Sequence, residues 1–553
     1  MQKPNLYFVI AIFLSVIGYC YNLKTSYTAA VVDYYHIYAD YPKELLNENV
    51  KQYIKHMRNA SRKYADIIIF PEYGLVDIYT MYKVVNKNMS NLEEYSTLVP
   101  NSNQKIVPCE DIKMKTYSMQ LVNISCAARM HGIYTVFNLL EKTVNEETDE
   151  LQFYNTNVVL DRVGTVIAKY RKINLSEEPF LQPGTELVTF KTDFNVTFGI
   201  FTCFDLLFKF PAQDILDIPE ITDVIFPTAW FSETPFLQAL SIQHGYAKAS
   251  GVNFLGSGLQ EPYNSDGGSA IYLSDGRIAE AFITNTKESR VLIQEVPKIN
   301  RKMKSSCEPR KNSTTKDVTQ NKTEFRDIDN FPIRKDRTIG YIYEPLSKGP
   351  KTLTRICNEH EDFCCIFNIT VDSTSPVNPD YTHRLVIYKG LSPFGSKVLG
   401  GIRICAVVAC LNESQSSCGY RTKSSQTSMK FKSIEIKTTV DKSNNTHNQP
   451  STLKSDLTPI SDYVYCVTNI SDSKIEIKMT ITSPQESIVT FGIYSRIYNM
   501  DTREDEEEEN RAPTTAPTKD NLNTGIIIAI VCVSTLILLT TAFVLYKFCT
   551  RIE

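Results

Sequence analysis

Cys203 closes an apolar, β-prone run in FGIFTCFDLL (198–207), Glu72 directly follows another in IIIFPEYGL (67–75), and Lys172 stands just past a third in IAKYRKINL (167–175). A thiol with a reference pKa of about 8.5 is largely protonated at neutral pH and needs a base or a cation before it attacks a carbonyl. Glu72 is the candidate base, able to take the thiol proton and later return it to a departing amine. Lys172 is the candidate cation for the thiolate and then for a tetrahedral oxyanion, with the backbone amide of Phe204 as a second donor. Water activated by the same carboxylate would then hydrolyse the thioester, so the three residues could cut an amide bond without a metal. Singly they read as a core cysteine, a loop carboxylate and a surface lysine. Together they occupy the C-terminal ends of strands, where the loops of an α/β sheet converge over a crevice.

These residues need a scaffold of strands with helices between them, and residues 27–300 carry that rhythm. β-prone runs are expected at 27–32, 65–70, 133–139, 154–160 with 165–168, 198–202, 224–226, 253–257, 270–273 and 289–295. Helical patterning covers 45–63, 112–131 and 236–250. Several runs arrive as hairpin-like pairs, around 161–164 and 274–276, which suggests two layered sheets flanked by helices. The catalytic domain is expected over 21–305, followed by a basic, glycosylatable linker or excursion at 306–329. A smaller β-rich, disulfide-stapled domain is expected over 330–500, with alternating runs at 383–388, 431–439, 474–480 and 487–494.

The ends of the chain point to an oxidising compartment. Residues 1–20 read as a secretory signal peptide. Residues 525–546 carry no charge and are long enough to cross a bilayer core of about 30 Å, with Lys547 and Arg551 beyond them, so 547–553 is expected as a cytosolic tail. This type I span at the plasma membrane is favoured over a GPI signal because the chain continues through KFCTRIE; the acidic and Thr/Pro-rich 501–524 is then a stalk. Of 14 cysteines, setting aside Cys20, Cys532 and Cys549 leaves an odd number outside the membrane. With Cys203 free, the other ten suffice for five disulfides. Acceptor sequences for N-glycosylation occur at Asn88, Asn123, Asn174, Asn195, Asn312, Asn321, Asn368, Asn412, Asn444 and Asn469. Asn174 is the awkward one, since a glycan two residues from Lys172 would crowd the site. A net charge of -3 offers no broad basic field and excludes nucleic acid as an expected partner. The seven histidines lack zinc-ligand spacing, so neither metal nor other cofactor is expected.

FPEYGL, YRKINL, FTCFD and FPTAWFSETPF, together with YTAAVVDY, SCAARMHGIYTVFNLLE and YNTNVVLDRVGTVIAKY, resemble the nitrilase superfamily of carbon-nitrogen hydrolases, in particular its secreted branch of vanins (pantetheinases) and biotinidase. The resemblance spans most of 27–300 and extends loosely through the C-terminal domain. It implies a four-layer αββα catalytic domain with a Glu-Lys-Cys triad at Glu72, Lys172 and Cys203, a Cys109–Cys126 disulfide and a small-molecule amide substrate. Pantetheine, cleaved to pantothenate and cysteamine, is the expected substrate; a biotinidase-like amidase or a catalytically silent surface glycoprotein are the alternatives. A supporting glutamate near the lysine is also implied, with Glu177 and Glu178 both candidates. Trp230 and Tyr246 are the candidate pocket residues, the latter standing where relatives carry tryptophan. A monomer is expected, with a homodimer as the alternative.

Overall fold

The strand Ser26–Asp33 shows how the sequence builds the first two layers. Successive strand side chains point to opposite faces. Ala29 and Val31 enter the core between two sheets, whereas Ala30 and Val32 pack beneath helices. Ile67–Ile69 beside it is buried on both faces, as a central parallel strand should be.

In the computed structural model the first sheet runs in the order Arg290–Pro297, Ser26–Asp33, Ile67–Ile69, Tyr134–Val144, Leu151–Leu160, Val166–Arg171. The second runs Ile278–Phe282, Ser269–Tyr272, Asn253–Gly258, Asp223–Thr228, Thr197–Ile200, Val188–Lys191. Helices Pro42–Arg62 and Met119–His131 cover the outer face of the first sheet through Tyr53, Met57, Leu121 and Ile124. Helix Ala239–Ser250 covers the second, tied to it where Tyr272 Oη donates to the Leu240 carbonyl at 2.8 Å. This is the four-layer α/β nitrilase-type sandwich implied by the resemblance. One helix begins later than its apolar pattern suggests, at Met119 and not at residue 112. Ahead of it, Asp111 accepts from Tyr117 N and a Cys109–Cys126 disulfide pins the chain into a short 3-10 turn.

The described residues are 24–111, 115–300, 307, 327–346, 350–372, 382–421 and 429–503. The expected signal peptide, the stalk from residue 504 onward, the membrane span and the tail lie outside them, as do Asn312 and Asn321, while 501–503, expected to open the stalk, complete the strand Ile488–Arg503. Among the described residues no helix is long and apolar enough to cross a membrane. From Ile328 the chain already belongs to the packed structure: Ile328 and Phe331 are buried against the catalytic core, and Arg334–Lys335 pairs with Glu233–Thr234.

Two five-stranded antiparallel-rich sheets then form a second sandwich, whose interior holds Phe367, Ile434, Ile436 and Ile477 against Leu385, Ile387, Val407 and Phe491. Cys365–Cys405 bridges these sheets, while Cys357–Cys364, Cys410–Cys418 and Cys307–Cys466 staple their edges. With Cys109–Cys126 this makes five disulfides, and Cys203 is the free thiol among the described residues.

Candidate active site

Three strand ends deliver Glu72, Lys172 and Cys203 to the floor of one cavity of about 370 Å³. Pro71 ends the pairing of the isoleucine strand, and Glu72 turns inward, fully buried. Its Oε1 accepts from Lys172 Nζ at 2.8 Å and from Asn155 Nδ2 at 2.8 Å, and its Oε2 accepts from Ala229 N at 2.9 Å. Period-two alternation explains why adjacent basic residues differ. Arg171 faces outward to Glu141, with its Nε and Nη2 donating at 2.9 and 2.7 Å, and Lys172 faces the cavity at 2 % exposure.

Cys203 opens a 3-10 turn, Cys203–Leu207, with φ of 48°. This left-handed backbone is costly for a residue with a Cβ and persists where surrounding contacts enforce it. Asp205 supplies them: it accepts from Thr202 N at 3.0 Å, Tyr170 Oη at 2.6 Å, Asn174 N at 2.7 Å and Asn174 Nδ2 at 2.9 Å. The thiol so presented lies 3.5 Å from the Ala229 carbonyl.

Glu177 and Glu178, indistinguishable in sequence, separate cleanly in space. Glu178 is buried; its Oε2 accepts from Lys172 Nζ at 2.9 Å and Ser176 N at 2.7 Å, and its Oε1 accepts from Asn155 Nδ2 at 3.0 Å and from Tyr73 Oη. Glu177 is exposed at the cavity rim, where it accepts from Ser396 N of the C-terminal domain at 2.9 Å. Pro393, Phe394 and Gly395 of the same hairpin also line the cavity.

Charge in this floor is strongly perturbed. Burial pushes the Lys172 ammonium down, but attraction to Glu72, Cys203 and Asp205 and the hydrogen bond to Glu72 together offset it and hold the lysine above its ordinary value. Burial, then repulsion from Glu72, pushes Glu178 well up. Burial and the same repulsion push Cys203 well up against the opposing pull of Lys172, so the resting sulfur is a thiol and not the thiolate that a nearby ammonium alone would favour.

Phe204 is half-buried and lines the cavity, as does Trp230, whose Nε1 donates to the Leu237 carbonyl at 2.7 Å. Tyr246 is no pocket residue. Its side chain is fully buried in the core against Phe201 and Phe254, because its helix turns that face onto the second sheet. Asn174, the acceptor sequence nearest the site, lies inside the fold. It is buried and its Nδ2 donates to both Asp205 Oδ1 and the Phe210 carbonyl, at 2.9 Å each, so the folded chain has neither space nor a free amide hydrogen for a glycan there.

The asparagines behind the site went unremarked in the sequence. Asn138 Oδ1 accepts from Tyr73 N, its Nδ2 donates to Asn155 Oδ1 at 2.6 Å and Asn157 Oδ1 at 2.9 Å, and Asn157 Nδ2 donates to Thr202 Oγ1 at 2.6 Å. This ladder joins the segment after Glu72 to the residue before Cys203. Its signal was available: asparagine is disfavoured in strands, yet Asn155 and Asn157 recur at the two-residue spacing of one face in an otherwise apolar run.

Residues 28–217 match the carbon-nitrogen hydrolase family and residues 333–501 match the vanin C-terminal domain. Vanin-like protein 2 of Drosophila melanogaster is 30% identical over 509 residues, covering 86% of this chain and 90% of the relative. The pantetheinase of Homo sapiens is 26% identical over 402 residues, covering 70% and 73%. A solved branch 10 nitrilase-superfamily member from Saccharomyces cerevisiae aligns with 50% of this chain and 91% of its own, at 17% identity and a TM-score of 0.38. Fold and family together define a carbon-nitrogen hydrolase acting on amides. Within that class, the chain belongs to the vanin branch of the nitrilase superfamily.

Proposed function

We propose that this protein is an extracellular thiol amidohydrolase that cleaves pantetheine to pantothenate and cysteamine, with Cys203 as nucleophile. The observation that carries the reading is the buried Glu72–Lys172 pair, braced by Glu178 from behind, sharing a cavity floor with the free thiol among the described residues. In this mechanism Glu72 takes the Cys203 proton as the sulfur attacks the amide carbon. Holding the thiol neutral until substrate arrives protects it from oxidation, which goes through the thiolate. The oxyanion is met by Lys172 and the Phe204 amide. An ammonium has three donors, and two of those on Lys172 are taken by Glu72 and Glu178, which leaves one for substrate.

Collapse of the tetrahedral adduct breaks the C–N bond while Glu72 delivers its proton to the leaving nitrogen. Water, losing a proton to Glu72, then attacks the thioester carbonyl. The carboxylic acid departs as Cys203 recovers its proton. Glu178 is a positioning residue that fixes the lysine. Five disulfides support an oxidising, extracellular setting, and pantetheinases among the relatives support the substrate.

The test offers the full-length protein pantetheine and biocytin in parallel and follows amine release. Pantetheine turnover that disappears in Cys203→Ala is expected. Turnover of biocytin alone would reassign the substrate, and turnover of neither would remove the reading.

A further inference from the structure

Six carboxyl groups line the cavity against two cations, Lys172 and Arg334, and Lys172 is already held by Glu72 and Glu178. Two of these carboxyl groups, Glu261 and Asp266, belong to residues joined by backbone hydrogen bonds. From Ala229, which bonds Glu72, the chain runs through Trp230 to Phe231, and Phe231 forms a backbone bridge to Asp266. The loop that carries Asp266 is fastened at both ends by paired backbone hydrogen bonds with Glu261, each 3.2 Å, and by Ser232 N donating to the Ser265 carbonyl.

Asp266 is the feature that needs a ligand. It is only 2 % exposed, lines the cavity, and its Oδ1 is buried with no hydrogen-bond partner among the described residues. Its neighbours are otherwise employed. Asp77 caps the helix Ile78–Val85 through Thr80 N at 2.9 Å, Glu261 accepts from Tyr38 Oη at 2.5 Å, and Arg334 is exposed at the mouth with its guanidinium 4.0 Å over the Phe231 ring. Burial, and then repulsion from Glu261 and Glu72, push the Asp266 carboxyl well up despite the opposing pull of Arg334. A cation seated beside it would reverse that penalty. A metal ion does not fit, since no group of three or more His, Cys, Asp or Glu side chains among the described residues is gathered closely enough to hold one.

We infer that Asp266, with Glu261, forms a subsite for the leaving amine, and that the amides this enzyme cleaves best release an amine bearing a second positive charge, such as a diamine. The inference rests on the amidase reading above and refines only the amine half of the substrate. Glu72 protonates the departing nitrogen, so the nitrogen substituent points to the Glu72 side of the cavity, which is the side that continues into Asp266. Phe204, Leu207 and Phe394 supply apolar lining for the acyl half.

Two measurements test this. In the first, full-length protein hydrolyses pantetheine and its isostere in which an ammonium replaces the thiol. A charged group lost from a close pair changes affinity by about tenfold or more, so wild type should favour the ammonium amide by that factor in kcat/KM. Asp266→Asn should erase the preference, lowering kcat/KM for the ammonium amide by about tenfold more than for pantetheine. Equal wild-type rates, or an equal fall on both amides in the variant, would overturn the subsite. The second uses Cys203→Ala and calorimetry with N-acetylethylenediamine, a monocation, against neutral N-acetylethanolamine. Tighter binding of the cation, lost on adding Asp266→Asn, supports the subsite even where neither pantothenoyl amide is cleaved, an outcome that would sink the pantetheine reading alone. Equal binding of the two probes rejects the subsite whatever amide is turned over.

Discussion

Glu72→Gln should have opposite effects on two properties of Cys203. The carboxylate repels the thiolate, second only to burial among the forces that keep the sulfur protonated, while Lys172 pulls the other way. Neutralising Glu72 removes that repulsion, so the thiolate fraction should rise by about tenfold or more at any pH below the transition, the equivalent of at least about 1.4 kcal/mol. Glutamine keeps the shape, and with its one acceptor oxygen turned to Lys172 Nζ and Asn155 Nδ2 it gives up only the bond from Ala229 N, so the fold should survive. Alkylation of the Cys203 peptide by iodoacetamide, followed by mass spectrometry with Cys203→Ala as the blank, should therefore accelerate at pH 7. Amide turnover should fall by about a thousandfold or more, because the proton carrier is gone. The same shift has a stability signature. A thiol raised on folding contributes stability that is complete below its unfolded value, near 9.0, and declines as pH rises beyond it, so wild type should lose more stability than Glu72→Gln in alkali. Slower or unchanged alkylation in Glu72→Gln would refute the electrostatic account.

Glu178→Gln preserves the outline of a carboxyl that burial already pushes up, so melting should shift by only a few degrees while kcat falls by about tenfold to a hundredfold as Lys172 loses an anchor. Glu178→Ala strands donors on Lys172, Asn155 and Tyr73 and should cost about 2–4 kcal/mol in denaturant unfolding. Asp33 is pushed up to about 7 by burial; a raised carboxyl contributes stability below its unfolded value that is lost as pH rises through the folded one. Asp33→Asn should consequently gain on wild type in thermal melts between pH 4 and pH 7, and a constant difference would refute the assignment. Glycopeptide mapping should find Asn174 unmodified, with glycans at exposed acceptors such as Asn88, Asn195 and Asn412.

The convergence of Glu72, Lys172 and Cys203 on one cavity was legible because strand ends announce themselves. IIIF before Glu72 and FGIF before Cys203 are short apolar runs broken by proline or by a polar turn, and an odd cysteine in a disulfide-rich chain marks itself. Even Lys172 was legible once its neighbours supplied complementary roles. Tyr246 was misplaced because a helical pattern gives a period and not a direction: the same spacing serves a pocket wall or the face laid onto a sheet. Asn174 shows the same limit, since an acceptor sequence carries no information about burial.

The residue types, their order and the cysteine count are properties of the chain, and they determined an α/β hydrolase with a free thiol and a stapled β domain. Folding alone decided which glutamate holds the lysine, since Glu177 and Glu178 are adjacent and only a backbone path sends one inward to Lys172 and the other to Ser396. Folding also decided the resting state of the sulfur, because its acidity follows from burial and from a carboxylate more than a hundred residues earlier in the chain. Such properties arise from distances between remote residues, which a linear sequence does not contain.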